Sequence, residues 1–475
     1  MTDTPPSGAA ALEALRAGFA PDLYLTDPEI TASYARDRTR AYFGLPLAVA
    51  RPRSTAEVAA VVRRCADLGL GLVPQGGLTG LVGAGVSDAE VPEVVLRLDR
   101  MAAIRAIDTL GFSMVVEAGC VLEVAKQAAE AEDCLLPITF GAQGSCRIGG
   151  TVATNAGGFN VLRYGMTRDL VLGLEVVLPD GRVWDGLRTL RKDNRGYDLK
   201  QLFIGAEGTL GIVTAAALKL FPRPTQVETA LVGLASVEAA MAFHALARRS
   251  CSDLLSAFEI LLRPGLELGL ATRPGLSDPL ETPCPVYILM ELSAGSGVDL
   301  RGLLESCLEG AGALLRDGVI ATSRAQADRL WACREAMVEG QSRHGPYFRT
   351  DVSVPIAAIP AFLAAALADL ARDLPDGQPI TYGHVGDGNI HLNVVPPADW
   401  ALEARHALFR QAEALIFAAV DRFGGSISAE HGIGRSKKAA FLERVDPVTL
   451  DLFRRLKGVF DPANLLSRGR IFDPG

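Results

Sequence analysis

Three glycine-dense loops, each joined to a strand-like run, lie between residues 75 and 213 and narrow most severely what this chain can fold into. The first, entered from Gly71-Leu72-Val73-Pro74, is Gln75-Gly76-Gly77-Leu78-Thr79-Gly80-Leu81-Val82-Gly83-Ala84-Gly85. The second is Gly141-Ala142-Gln143-Gly144-Ser145-Cys146-Arg147-Ile148-Gly149-Gly150-Thr151-Val152-Ala153-Thr154-Asn155-Ala156-Gly157-Gly158. The third is Gly205-Ala206-Glu207-Gly208-Thr209-Leu210-Gly211-Ile212-Val213. Glycine lets backbone approach a ligand closely, and consecutive free N–H groups form anion-binding concavities. A single cluster of this kind is an ordinary turn. Three of them alternating with strands predict a site for a large phosphate-bearing cofactor. No loop ends in Gly-Lys-Ser/Thr, which excludes a nucleoside-triphosphate P-loop. No Gly-x-Gly-x-x-Gly stands between a strand and a helix with an acid about twenty residues on, which argues against a Rossmann site.

With 475 residues the chain can build two or three domains with their own cores. A net charge of -8 argues against a broad nucleic-acid surface. The eight cysteines are dispersed, with no Cys-x-x-Cys pair, which disfavours a zinc ribbon, an iron–sulfur cluster or a disulfide framework and suits a reducing compartment. The opening Met1-Thr2-Asp3-Thr4-Pro5-Pro6 has neither a basic region nor an apolar core, so no signal peptide is expected. The longest apolar run, 356–368, is too short for a bilayer and contains Pro360. A soluble cytoplasmic protein is expected, with a homodimer the guess for its assembly.

Along the chain, 10–40 reads as helical. Ser54-Thr55-Ala56-Glu57 is a capping box that opens an amphipathic helix through Val58, Val61, Val62 and Cys65, ending at Gly69. Strands are expected at 94–98, 113–117 and 171–178, with a Pro179-Asp180-Gly181 turn and a helix over 121–131. After Phe221-Pro222-Arg223-Pro224 the rhythm changes. Strands at 227–234, 255–262, 286–292 and 319–323 and helices at 236–249 and 298–313 give the order β-α-β-β-α-β of a ferredoxin-like antiparallel sheet. A helix through Trp331 and Arg334, a strand at 347–354, a helix from Pro360 and a helix over 402–423 follow. The expected domains are 1–222 for cofactor, 223–425 as a cap, and 426–475 as a C-terminal segment that returns to the first.

Of the six histidines, two stand seven apart in Tyr382-Gly383-His384-Val385-Gly386-Asp387-Gly388-Asn389-Ile390-His391-Leu392-Asn393. A third follows in Ser428-Ala429-Glu430-His431-Gly432-Ile433-Gly434, whereas His406 lies inside an expected helix. On an unbroken strand, residues seven apart face opposite sides. His384 and His391 therefore converge only if the segment bends, and Gly386 and Asp387-Gly388 supply that bend. His391 and Asn393, two apart, would share a face. Two imidazoles and the Glu430 carboxylate form a three-ligand metal set with an open position; a hairpin whose histidines make ordinary hydrogen bonds is the alternative.

The run Leu190-Arg191-Lys192-Asp193-Asn194-Arg195-Gly196-Tyr197-Asp198-Leu199-Lys200-Gln201-Leu202-Phe203-Ile204-Gly205, together with the three glycine loops, resembles FAD-linked oxidases of the vanillyl-alcohol-oxidase type. Within them the chain is similar to the D-2-hydroxy-acid dehydrogenase family, over about 45–475. The resemblance implies an α+β architecture: a vanillyl-alcohol-oxidase-type FAD-binding domain of two α/β subdomains with a ferredoxin-like antiparallel-sheet cap. It implies that Pro74, Gln75, Gly76, Gly77, Leu78, Thr79, Gly80 and Leu81 bind FAD. The same role falls to Pro137, Gly141, Ser145, Gly149, Gly150, Ala153, Thr154, Asn155, Gly157, Gly158 and Tyr164, and then to Glu207, Gly208, Gly211, Ile212 and Val213. The first loop holds no histidine, so dissociable, non-covalent FAD is expected, with Cys146 a plain structural cysteine. Leu78 stands where close relatives usually carry Asn.

The resemblance further implies oxidation of a D-2-hydroxy acid, D-2-hydroxyglutarate first, with D-lactate or glycolate-oxidase-like chemistry as the alternative. His384, His391 and Glu430 would hold Zn2+ (or Mn2+ or Fe2+), a Lewis acid for the substrate hydroxyl. His431 would be the general base and Asn393 would orient the substrate. Arg334 and Arg349 would meet the far carboxylate of a diacid. Arg349 replaces the usual Lys, and Val338 stands where a Thr usually helps. Electron-transfer flavoprotein or a quinone would accept the electrons. A metal-dependent hydrolase would use the same His-His-Glu set but would need no glycine loops, and an NADPH-linked flavin reductase would need no such set.

Overall fold

The computed structural model describes residues 8–474 and resolves the chain into two compact units. Met1–Pro6, on which the expected absence of a leader rests, falls outside the described residues. One unit comprises Met1–Gly157, Met166–Arg223 and Glu430–Gly475; the other comprises Gly158–Gly165 and Pro224–Ala429.

The first unit is built on two larger sheets, with a two-stranded pairing of Phe221–Pro222 and Cys134–Leu135 besides. A four-stranded sheet takes the order Tyr24–Leu25, Ala48–Ala50, Glu93–Arg97, Gly71–Gln75, its last three strands parallel. The helix that feeds it forms half of the predicted capping box: Ser54 Oγ accepts from Glu57 N at 3.2 Å, whereas the Glu57 carboxylate accepts from Arg53 N, one residue before the cap, at 2.7 Å. This helix, Thr55–Asp67, buries Val58, Val61, Val62 and Cys65 and stops at Gly69, whose φ of 67° is glycine's left-handed region. The second sheet is antiparallel throughout, in the order Ile104–Asp108, Ser113–Glu117, Ile212–Lys219, Val171–Val177, Val183–Gly186. The 10–40 stretch is less helical than its composition predicts: only Gly8–Arg16 and Pro28–Thr31 are α-helical, with a short strand, Tyr24–Leu25, between them.

The second unit holds one seven-stranded sheet. Its first four strands, ordered Leu315–Ile320, Gln226–Leu234, Val286–Ala294, Leu255–Leu262, carry the ferredoxin-like connectivity, with helices Val237–Cys251 and Leu300–Ala311 as its two crossovers. The sheet then continues through Gln378–Gly383, Asn389–Val395 and the two-residue strand Val352–Ser353. The strand expected at 347–354 is thus mostly irregular, with Phe348 making one isolated bridge to Val394. An unexpected helix, Arg263–Thr272, follows the second ferredoxin strand in chain order, and the segment 158–165 belongs to this unit. Among the described residues no helix is long and apolar enough to cross a membrane.

Candidate active site

In the first unit, Pro74 and Gln75 end a parallel strand, and the chain leaves it into the first glycine loop. Gln75 does not reach outward. Its Nε2 donates to Tyr34 O at 3.0 Å and Gly85 O at 2.7 Å, and its Oε1 accepts from Arg97 at 3.1 Å, so the amide closes the loop on itself. Leu78 sits at φ 55°, a strained position for a residue with a Cβ. The first and second loops lie backbone to backbone: a Cβ on Gly77 would come within 2.2 Å of Ser145 O, and one on Gly76 within 3.6 Å of Gly150.

Between the loops runs a cleft of about 360 Å³, walled by residues 74–85, by parts of the second loop, and by Glu207, Gly208 and 211–213. A Cβ added at Gly80, Gly141 or Gly150 would meet no protein atom within 4 Å, so these glycines leave open exactly the kind of space a bulky group fills. The residues present therefore fit FAD. Of the expected contacts, Pro137, Ser145 and Asn155 fall outside the cleft walls, and Gly158 and Tyr164 belong to the second unit. Asn155 instead accepts from Arg168 N at 2.8 Å, closing its own turn. Burial pushes the Cys146 thiol up to about 11, so it stays protonated at neutral pH.

Glu207 has a different task from the one its place in the third loop suggests. Its two carboxylate oxygens accept from Ile433 N at 2.7 Å and Gly434 N at 2.8 Å. Burial raises its carboxyl above the ordinary range, against the pull of those two N–H groups. Arg435 N adds a bond to Val82 O at 2.8 Å. This clamp makes Glu430 and His431 part of the cleft wall, with His431 Nε2 at 3.9 Å from Glu430 Oε1.

In the second unit the hairpin Gln378–Gly383 and Asn389–Val395 pairs Tyr382 with His391. Gly388, at φ 92°, makes the bend, and Asp387 N and Asn389 N both return to His384 O. The two imidazoles meet edge to face with centroids 5.7 Å apart, both buried. His391 Nδ1 lies 3.1 Å from Thr350 O, and a carbonyl only accepts, so Nδ1 carries a proton, and in the neutral ring Nε2 holds the lone pair. His384 Nδ1 lies 2.5 Å from Glu259 Oε1, which fixes the same arrangement when the ring is neutral. In the neutral form, two buried imidazoles braced at Nδ1 make the kind of donor pair that a divalent metal takes.

The expected substrate residues lie in the same unit. Arg334 is buried, stacks 4.2 Å above the Tyr382 ring and donates from Nε to Glu259 Oε2 at 3.0 Å. Asn393 is committed internally: its Nδ2 donates to Gln341 and to the Tyr382 hydroxyl, and its Oδ1 accepts from Thr350 N. It therefore stands one residue behind the surface and presents Tyr382. Arg349 lies 4.5 Å from the Tyr347 ring, and Val338 is exposed on the helix Arg324–Arg343. Glu259, which sequence reasoning missed, left one signal: it is the only charged residue in the buried strand Leu255–Leu262, Leu-Ser-Ala-Phe-Glu-Ile-Leu-Leu.

Two family models account for most of the chain. An FAD binding domain matches residues 46–186, and the C-terminal domain of FAD linked oxidases matches residues 223–471. The chain belongs to the FAD-linked oxidases. It is thus an FAD-dependent oxidoreductase with the vanillyl-alcohol-oxidase-type fold, as the resemblance of residues 190–205 and the glycine loops implies. A protein of Xanthomonas citri pv. viticola named D-2-hydroxyglutarate dehydrogenase is 40% identical over 94% of both chains. A mitochondrial protein of Bos taurus with the same enzyme name is 38% identical over 94% of this chain and 80% of its own. Among solved structures, an alkyldihydroxyacetonephosphate synthase superposes with a TM-score of 0.77 at 16% identity, covering 98% of this chain and 86% of that one. The 4-ethylphenol oxidase of Gulosibacter chungangensis superposes at 0.76 and 16% identity, covering 98% of this oxidase and 97% of that one. At those identities the likeness is one of fold.

Proposed function

We propose that this oxidase is a dehydrogenase that converts a D-2-hydroxy acid, D-2-hydroxyglutarate first, to the 2-oxo acid. The observation that carries the reading is the pair His384 and His391, each braced at Nδ1, beside the stacked guanidinium of Arg334. The names of the relatives in Xanthomonas citri and Bos taurus support the same substrate. Ala429 N bonds to Asp351 O at 3.2 Å in the unit that holds the two histidines, and the very next residues in the chain are Glu430 and His431.

In this reading His384, His391 and Glu430 hold a divalent metal, zinc first. When bound, the metal supplies a Lewis acid that acidifies the substrate hydroxyl, and FAD supplies the acceptor for the two electrons leaving Cα. The chain's own residues do the rest. Arg334 and Arg349 bind the far carboxylate of a diacid, and their positive charge favours diacids over monoacids. His431 takes the C2 hydroxyl proton at an imidazole nitrogen, acting as the general base. Buried side chains around the histidines keep water from the reacting carbon.

The test is anaerobic: the yellow protein is mixed with D-2-hydroxyglutarate, D-malate or D-lactate, with the L-acids as controls, and oxidised-flavin absorbance is followed. Rapid bleaching by the D-diacid is expected. Bleaching by D-lactate alone would overturn the diacid assignment, and no bleaching by any of the acids would overturn the reaction class.

A further inference from the structure

Glu259 is fully buried, and each of its carboxylate oxygens has a separate cationic or proton-donating partner. Oε1 faces His384 Nδ1 at 2.5 Å; Oε2 accepts from Arg334 Nε at 3.0 Å. The partners lie far away in sequence, on Gln378–Gly383's turn and on the helix Arg324–Arg343, so the fold has brought three polar groups into an otherwise apolar strand face. Stability does not account for this arrangement. A buried ion pair loses about as much in desolvation as it gains in attraction, and apolar side chains of like volume commonly serve a core as well or better. What the triad does fix is orientation. Bonding at Nδ1 turns the His384 ring so that Nε2 points away from Glu259. Bonding at Nε, with the Tyr382 ring beneath the guanidinium plane at 4.2 Å, leaves the two Arg334 Nη groups at the forward end of the side chain. Among the described residues those Nη groups make no hydrogen bond.

We propose that Glu259 is a positioning residue that aims a metal-binding imidazole with one oxygen and a substrate-binding guanidinium with the other. It touches neither metal nor substrate. One carboxylate thereby orients both the group that meets the cation and the group that meets the substrate's far carboxylate. The inference rests on the proposed roles of His384 and Arg334.

Two variants and one measurement without substitution test it. Glu259→Gln keeps the size of the side chain but can accept from only one partner, because its amide N–H would oppose the other donor. Its zinc affinity, measured by chelator competition on the FAD-loaded protein, is expected to fall about 10- to 100-fold. Its KM for D-2-hydroxyglutarate should rise more than its KM for D-lactate. Arg334→Met leaves the Glu259–His384 bond in place, so it should raise the diacid KM while zinc affinity stays within about threefold. Ring nitrogen resonances of His384 in the metal-free wild-type protein should show the Nδ1-protonated tautomer, a result that does not depend on how any variant folds. Wild-type zinc affinity in Glu259→Gln, or the Nε2-protonated tautomer in the wild type, would overturn the role of Glu259 and leave the metal reading standing. A wild-type protein that binds no divalent metal would overturn the metal reading itself, and with it the role of Glu259 towards the cation.

Discussion

Replacing Glu207 by Gln probes how the His431 loop is held. The wild-type carboxylate accepts two backbone N–H groups, from Ile433 at 2.7 Å and Gly434 at 2.8 Å. Glutamine keeps one acceptor oxygen and turns its NH2 group towards the other N–H, so one bond is lost and a buried donor is left unpaired. A hydrogen bond to a charged group is worth about 1.5–3 kcal/mol, and the desolvation that raises the Glu207 carboxyl cancels part of that gain, which leaves a net loss of about 2 kcal/mol. At RT of about 0.6 kcal/mol this increases the open population of the loop about 30-fold. Hydrogen–deuterium exchange followed by mass spectrometry on a peptide spanning 430–437 reads that number directly, since both clamped amides lie within it. Exchange of those two amides should accelerate about 30-fold while the peptide spanning 55–67 is unchanged. Because His431 rides on the loop, flavin reduction should slow as FAD content stays near stoichiometric. Exchange within about threefold of wild type would refute the clamp.

His431→Asn should retain yellow colour and bound metal while flavin reduction by the D-acid falls about 100-fold or more, the scale of a lost general base; retained turnover would remove His431 from that role. Arg349→Ala should cut kcat/KM for the diacid roughly 10- to 150-fold and leave that for D-lactate nearly unchanged, which steady-state kinetics on both substrates would show. His244, buried against Phe258 with no hydrogen-bond partner at Nε2 among the described residues, is held down to about 4 by burial and the nearby Arg248. The unfolded chain takes up that proton first, near 6.5, so the His244 contribution is intact above pH 6.5 and is lost as pH falls towards 4, by up to about 3 kcal/mol. His244→Leu should therefore lose less denaturation midpoint between pH 7 and pH 4.5 than the wild type does.

Elements whose period and punctuation agree were legible in the sequence. The Ser54 cap, the apolar stripe of Val58, Val61, Val62 and Cys65, and the stop at Gly69 all reappear in the structure. So does the β-α-β-β-α-β order, since each of its strands is a short apolar run bounded by turn residues. The helix Arg263–Thr272 was hidden because Gly265 and Gly269 lower its propensity. Tertiary packing explains those glycines: a Cβ on Gly269 would lie 2.8 Å from the Ala336 backbone, and one on Gly265 would strike Met337. The bend that joins His384 to His391 was readable from Gly386 and Gly388. Glu259 was not, because its partners lie 75 and 125 residues away and no local pattern announces them. Asn393 shares a strand with His391 as alternation requires, but only coordinates show that its amide is already committed to Gln341, Tyr382 and Thr350.

The first unit is assembled from three separated stretches, and this has a consequence for synthesis. The free edge of Gly71–Gln75 is closed by Leu72 N bonding to Leu465 O and Ser467 N bonding to Leu72 O, both at 2.9 Å. Arg470 is buried on Glu93, and Lys457 caps Thr209 O and Leu466 O. None of these contacts exists until residues beyond 456 have left the ribosome. The stretch 224–429, nearly all of the second unit, has been made by then and is free to fold first, against the usual N-terminal lead. Throughout that interval the nascent chain carries an unpaired parallel strand edge, the kind of surface that chaperones cover and that aggregates when left bare. A chain cut short before residue 457 would carry the whole stretch 224–429 and none of these closing contacts on the first unit.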